Sequence, residues 1–426
     1  MNAVRRRAGR YVLRTMLHAR LPAFRPHLDL VRLIACCLAS LACRPARAAH
    51  DAARSPIVIP IEVRNGLVVV HARVNDRDAL LIVDTGSGVS VIDTAFAREA
   101  AIDESGMRAE VKGTGGVSVR LGTARSLQLG GAQLRNVAVA AVSLDALRAA
   151  AGRDIRGTLG FDLFDQYVVD IDYAARTLTL SEPATFAYAG SGSVIPLSIS
   201  HHVPSLAASL VTRTKGAIPV RLHLDLGSSG YAVRLASPFV RANDLDRDTV
   251  TVAGLFGTGV GGIIEGALLR LPALRLGNMT VLRPSTALAH ETEGAFGTAA
   301  QADGTIGAPV WNRMRVIVDY SRSRVILEPR GDLARPDSVT TTGISVVEEL
   351  SPRRALRVSY VVKGSAAAEA GVARGDELVR LGTRDAAAMS VAEAGMALRT
   401  ESAPTTLILM RGTDTRTVRV SPREIF

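Results

Sequence analysis

Leu81-Ile82-Val83-Asp84-Thr85-Gly86-Ser87 and, 141 residues further on, Leu222-His223-Leu224-Asp225-Leu226-Gly227-Ser228 follow one pattern. An apolar run ends in an Asp, and the Asp enters a Gly turn. Other landmarks repeat in the same order: Gly113-Thr114-Gly115-Gly116 as Gly259-Val260-Gly261-Gly262, Leu129-Gly130 as Leu276-Gly277, Gly157-Thr158-Leu159-Gly160 as Gly304-Thr305-Ile306-Gly307, and Asp172-Tyr173 as Asp319-Tyr320. The offset drifts only from 141 to 147. A period this long exceeds any solenoid unit and indicates a duplicated lobe of domain size.

Within each copy the pattern is that of strands. Ile57–Ile61, Leu67–Val70 and Val137–Val139 in the first copy, and Val250–Val252, Leu268–Leu271 and Arg315–Val318 in the second, are short apolar or β-branched runs between Gly, Asn and Asp turns. Helical stretches are few, with Thr94–Ala101 and Leu144–Ala151 the clearest. Pro- and Ser-bearing joints at Ser181–Ser193 and Arg330–Thr341 divide the chain into a lobe at 57–185, a lobe at 190–330 and a C-terminal region at 340–426. The expected class is mainly β, with two homologous barrel-like lobes and a small α+β domain after them.

The chain has 426 residues, 47% hydrophobic and 21% charged, a composition that supports folded domains rather than disorder. Its net charge of +11 would suit a nucleic-acid partner if it were spread over the folded part. It is not: residues 1–48 hold ten Arg, no Lys and one acid and carry +9, leaving +2 for all the rest. Cys36, Cys37 and Cys43 also lie in that segment, so the folded part has no thiol for a disulfide or a metal. Residues 1–48 read as an export leader: an Arg-rich start, an apolar run from Leu33 to Ala42 too short to span a bilayer, and Ala46-Arg47-Ala48 as a cleavage site before Ala49. Ser40-Leu41-Ala42-Cys43 also resembles a lipoprotein box, but Ser is weak at its first position, so simple cleavage is expected and a membrane association only if Cys43 is lipidated. The expected location is periplasmic or secreted.

A carboxylate in a tight turn at the end of a buried strand is costly to bury alone. Two related lobes can meet so that the Asp of each faces the other. Two carboxyls that close cannot both ionise, so one keeps its proton while the other is a base. That mixed state suits hydrolysis of a peptide bond by water, the charged Asp taking a proton from water while the neutral Asp hydrogen-bonds the carbonyl. The pair titrates as a unit, and neither role is assigned to Asp84 or Asp225 individually.

These features resemble the aspartic proteases, in the bacterial retropepsin-like form with both lobes on one chain. The resemblance covers residues 57–329. It implies that Asp84 and Asp225 are the catalytic pair, supported by Thr85, Gly86, Ser87, Leu226, Gly227 and Ser228, with Ser87 and Ser228 hydrogen-bonding the carboxylates and Thr85 locking the two turns together. Gly113, Thr114, Gly115 and Gly116, with Gly259, Gly261 and Gly262, would be flaps folding over an extended peptide or protein substrate. The implied reaction uses a water nucleophile, with no metal and no cofactor. Leu226 departs from the family, which has Thr or Ser there, so half of the hydroxyl lock is missing. That departure sustains a rival expectation, a weak or inactive peptide-binding or scaffold protein of the same fold, and Cys43 would sustain an envelope-associated form of it.

The run Gly364-Ser365-Ala366-Ala367-Ala368-Glu369-Ala370-Gly371-Val372, followed by Gly375-Asp376, resembles that of a bacterial PDZ domain, although Ala366 replaces the usual Pro. By that resemblance Thr342, Gly343 and Ile344 form the carboxylate-binding loop. A peptide C-terminus would add as a strand beside Ile344–Val347, facing a helix over Ser390–Thr400. Three other signals fail. Gly257-Thr258-Gly259-Val260-Gly261-Gly262 matches a dinucleotide fingerprint but is not followed by a helix to receive a pyrophosphate. His201, His202 and His223 lack metal-ligand spacing. Ser228 and Ser229 lie in no nucleophile elbow.

Overall fold

The computed structural model of the chain describes residues 56–112, 116–144, 147–148, 153–247, 252–259, 262–290, 300–349, 353–400 and 403–424. The leader with Cys43 and Ala49 lies outside these residues, as do Gly113, Thr114, Gly115 and Gly261 of the Gly-rich hairpins and most of the expected helix at Leu144–Ala151. Strands dominate the rest, and the described helices are short, as the period-2 apolar pattern leads one to expect. Gly216–Leu224 alternates buried and exposed side chains along most of its length and so presents one face to the core, whereas Leu67–Val74 alternates only after Val70, its first four residues being buried on both faces.

The two copies have matching sheets. In the first, Leu67–Val74 pairs with Arg77–Val83 on one side and with the end of Gly116–Leu129 on the other, through Arg73↔Gln128 and Val74↔Leu127, which curls the sheet back on itself. In the second, Val203–Thr212 stands between Gly216–Leu224 and Ala273–Leu276 in the same way. One physical difference separates them. The first lobe's Gly116–Leu129 and Ala132–Val142 run unbroken, whereas the second lobe's counterparts are interrupted at Pro272 and Pro284, since proline cannot donate to a strand ladder.

A six-stranded antiparallel sheet is common to both lobes, in the order Ile57–Pro60, Thr177–Ser181, Val168–Asp172, Met314–Asp319, Arg324–Pro329, Ser193–Pro196. At its centre Val169 pairs with Val318 and Ile171 with Val316, all four fully buried. One contiguous apolar core accordingly runs through both lobes, from Ile59 to Leu327. The joint at Glu182–Gly192 is pinned by Tyr188, whose hydroxyl donates to Glu328 Oε1 (2.8 Å) and accepts from the Gly192 N–H (2.5 Å).

The C-terminal region has its own core, built from Ile344, Val346, Leu356, Val358, Leu378, Leu398, Leu407 and neighbours. Its main sheet runs Ile344–Glu349, Ala355–Val361, Glu377–Leu381, Thr405–Arg411, Asp414–Val420, and helix Val391–Thr400 packs on Ile344–Glu349, the strand at the sheet's end. The expected carboxylate loop is already occupied. Thr342 donates its N–H (3.2 Å) and its hydroxyl (2.7 Å) to Leu398 O, and the Gly343 N–H donates to Thr341 Oγ1 (3.2 Å). Ile344 begins the edge strand and is buried. Of these three residues, then, two have spent the N–H groups that a peptide carboxylate would need, Thr342 on the last turn of helix Val391–Thr400 and Gly343 on the hydroxyl of Thr341.

Candidate active site

The site rests on six strands, numbered here in chain order: β1 (Arg77–Val83), β2 (Ser90–Asp93) and β3 (Ile155–Leu159) in the first lobe, and β4 (Gly216–Leu224), β5 (Val233–Leu235) and β6 (Gly304–Ile306) in the second. β3 lies between β1 and β2, parallel to the first and antiparallel to the second, and β6 lies between β4 and β5 in the same sense. The chain leaving β1 must therefore turn sharply at Asp84 and the chain leaving β4 at Asp225. Each turn is tied to the middle strand: the Asp84 N–H donates to Leu159 O (2.9 Å) and the Asp225 N–H to Ile306 O (3.3 Å). Beyond the middle strand the Phe161 N–H donates to Ser87 O (3.0 Å) and the Ala308 N–H to Ser228 O (2.8 Å). These bonds draw the chain so close that a side chain at Gly307 would lie 2.6 Å from Tyr231 O, and one at Gly160 would strike Ser87 O, which explains the repeated Gly in Thr158-Leu159-Gly160 and Thr305-Ile306-Gly307.

The two turns meet across the lobes. A methyl on Gly86 would lie 2.7 Å from Asp225 Oδ1, and one on Gly227 would overlap the Asp84 carboxyl. The Gly86 N–H donates to Asp84 Oδ1 (2.8 Å) and the Gly227 N–H to Asp225 Oδ1 (3.0 Å), and the two carboxyls share a hydrogen bond. Burial, and then the facing negative charge of Asp225, push the Asp84 carboxyl up to about 8. Burial also raises Asp225, against the opposing pull of Arg234 and His223. Behind Asp84 sits Tyr320, whose phenol is raised by burial and by the Asp84 charge.

Thr85 bridges the lobes with one hydroxyl. It donates to Leu224 O (2.6 Å) and accepts from the Leu226 N–H (3.0 Å). Leu226 returns no hydroxyl, and its side chain is fully buried in the common core.

Residues 70–163 match the aspartyl protease family model. The aspartyl protease stretch spans Asp84, Thr85, Gly86, Ser87 and the Thr158-Leu159-Gly160 segment, and it supports a peptidase-type hydrolase; Asp225 and the C-terminal region fall outside it. No curated protein matches the chain.

Two serine expectations need correction. Ser87 Oγ lies 3.3 Å from Thr158 Oγ1, and Ser228 gives its carbonyl to Ala308; neither hydroxyl has a described bond to a carboxylate. The Gly86 and Gly227 N–H groups take the carboxylate oxygens instead, so the serines brace the turns against the middle strands. Of the expected flaps, the described backbone shows two hairpins, Asp103–Lys112 with Gly116–Leu129 and Val252–Gly259 with Gly262–Arg270, closing at Lys112↔Gly116 and Gly259↔Gly262. Among the described residues no three His, Cys, Asp or Glu side chains converge as metal ligands would.

Sequence reasoning missed several supports of the site. Trp311, the chain's only Trp, is fully buried on helix Ala308–Trp311 and donates its indole N–H to Ile306 O (2.8 Å), fixing the strand under Asp225. His202 stacks on Phe161 with centroids 4.1 Å apart, joining the second lobe to the helix that follows Gly160. Arg234 also escaped, because nothing near it in sequence marks it; only comparison with Val91, its counterpart beside the repeated Thr, would have shown a charge in an apolar place.

Proposed function

We propose that the chain is an exported aspartic endopeptidase, in which Asp84 and Asp225 activate a water molecule to hydrolyse a peptide bond of an extended peptide or protein substrate. The observation that carries this reading is the meeting of the two carboxyls at the ends of duplicated turns, each lying against the other turn's Gly, where burial and the facing charge raise Asp84. In that state one carboxylate takes a proton from water as the water oxygen bonds to the scissile carbonyl carbon, while the other carboxyl gives its proton to the carbonyl oxygen. The resulting diol collapses: the first carboxyl passes its proton to the amide nitrogen, the C–N bond breaks, and a diol hydroxyl proton returns to the second carboxyl. Atoms and charge balance without any other reactant, and the pair ends as it began.

The two hairpins closing at Lys112↔Gly116 and Gly259↔Gly262 are the segments proposed to cover the substrate. The C-terminal region is proposed as a PDZ-like module in which a peptide adds along the edge strand Ile344–Glu349, beside helix Val391–Thr400. With the donors of Thr342 and Gly343 already used, main-chain pairing along that strand would hold the peptide, not its carboxylate.

The test is cleavage of a diverse peptide mixture by the full chain from about pH 3 to pH 8, read by mass spectrometry beside Asp84→Asn and Asp225→Asn. The expected result is a bell-shaped rate abolished by either substitution. Folded wild-type protein that cuts nothing across the range would overturn the reading in favour of a peptide-binding protein, the reading Leu226 favours.

A further inference from the structure

The duplicated backbone is symmetric around the two Asp residues, but the side chains flanking it are not. Residues paired across neighbouring strands stand on the same face of a sheet. In the second lobe Thr305 of β6 pairs with His223 of β4 on one side and with Arg234 of β5 on the other. His223, Thr305 and Arg234 therefore form a row on one face, with Leu222, Leu224, Val233, Leu235 and Ile306 buried on the opposite one. Asp225 follows His223 by two positions and continues that polar face. In the first lobe the matching Thr158 pairs with Ile82 and Val91. Asp84 thus has two apolar flanks where Asp225 has an imidazole and a guanidinium.

We infer that Arg234, assisted by His223 when protonated, is a positioning residue that breaks the symmetry of the pair, so that Asp225 carries its negative charge and Asp84 its proton. Asp225 is then the base that takes the proton from water, and Asp84 the acid that gives its proton to the substrate carbonyl. This deepens the hydrolytic reading above and rests on it for its consequence, but the position of the charge can be read without any cleavage.

Arg234 is the constant part of the bias. The His223 imidazole is half-buried, with Nδ1 3.3 Å from Pro204 O, and its burial pulls it below the usual imidazole range, so it adds a charge only in acid. Other described ionisable groups near the pair are Tyr320, Asp162 and His202. Tyr320 stands behind Asp84 and stays protonated. Asp162, on the helix after Gly160, accepts from Ser90 Oγ at Oδ2 (3.4 Å); burial raises its carboxyl and His202 faces it, so this corner places a neutralised acid and a base near Asp84 rather than a fixed charge.

The experiment is a pH titration of the full chain carrying ¹³C at the aspartate carboxyl carbons, with the two signals assigned by their loss in Asp84→Asn and Asp225→Asn. The lower titration step is expected on Asp225. Arg234→Gln should raise that step, and the acidic limb of any pH–rate profile, by roughly one pH unit, the small end of what a carboxylate loses with an arginine neighbour. Arg234→Lys should keep both near their wild-type positions. A lower step on Asp84, or a step unmoved in folded Arg234→Gln, overturns the inference; should Arg234→Gln not fold, the wild-type assignment decides alone. If wild type cuts no peptide while the lower step is on Asp225 and follows Arg234, the hydrolytic reading falls and the charge placement stands. If wild type cuts peptides with the lower step on Asp84, the reverse holds.

Discussion

Thr85 does with one hydroxyl what a symmetric site would do with two. Thr85→Val would leave Leu224 O and the Leu226 N–H without partners in a buried place. We expect a loss of about 2–4 kcal/mol in denaturant unfolding, with turnover falling further than stability explains as the two carboxyls lose their fixed approach. Asp84 yields a prediction with a definite sign. Its carboxyl rises from 3.8 to about 8 on folding, so the folded chain binds the extra proton and the contribution to stability is full below 3.8 and lost as pH rises through about 8. Asp84→Asn cannot ionise and escapes that loss. Its melting temperature relative to wild type should climb from about pH 4 to about pH 8; parallel melting curves would show that the buried charge costs nothing. The two Asp turns were legible because each residue type in them answers a local need. The role of Leu226 was legible only as a missing hydroxyl, and its burial in the common core followed from the meeting of the lobes.

At the scale of elements, strands were readable from alternation and turn chemistry, and the Gly in each Thr-x-Gly segment from its repetition. What could not be read was which strand of one lobe pairs with which of the other. Val168–Asp172 and Met314–Asp319 lie side by side although about 145 residues separate them, and the ion pair that crosses them, Arg315 Nε to Asp170 Oδ1 (2.9 Å) and Nη2 to Oδ2 (2.6 Å), exists only in that register. Asp170 holds the Arg315 guanidinium more firmly protonated than usual. Asp170→Ala should cost about 2 kcal/mol, below the value for a wholly buried pair because the Arg315 side chain keeps 33% of its surface in water. Equilibrium unfolding measures this, and an unchanged midpoint would mean that the apolar contacts of Val169 and Ile171 alone hold the lobes in register.

Across the whole molecule, Arg270 clasps three segments. From a nearly buried position it donates to Arg283 O (2.9 Å), Asp337 Oδ1 (3.4 Å) and Glu424 Oε1 (3.0 Å), and also to Asp337 O, while Asp337 Oδ1 accepts the Ser285 N–H (2.9 Å). It stands at the foot of the second Gly-rich hairpin and fastens both the joint before the C-terminal region and that region's last strand to the second lobe. Arg270→Met strands Asp337 in a buried place. It should cost about 3 kcal/mol and open the 330–341 joint to limited proteolysis; a joint as resistant as in wild type would show that the sheet pairing Thr340↔Glu424 suffices to hold it.

By itself the sequence determined the duplication, the β class and the two Asp turns, because each of these is written in spacings and in residue types that have local physical reasons. Only the tertiary structure decided three further things. It showed that the Thr85 hydroxyl bridges the two turns with no hydroxyl from Leu226 to answer it, that the Gly amides rather than the serines hold the carboxylates, and that Arg234 and His223 flank one Asp while Ile82 and Val91 flank the other. The reason is common to all three: which donor reaches which acceptor, and which charge lies beside which carboxyl, depends on register between strands far apart in the chain, and register is settled by the packing of whole sheets.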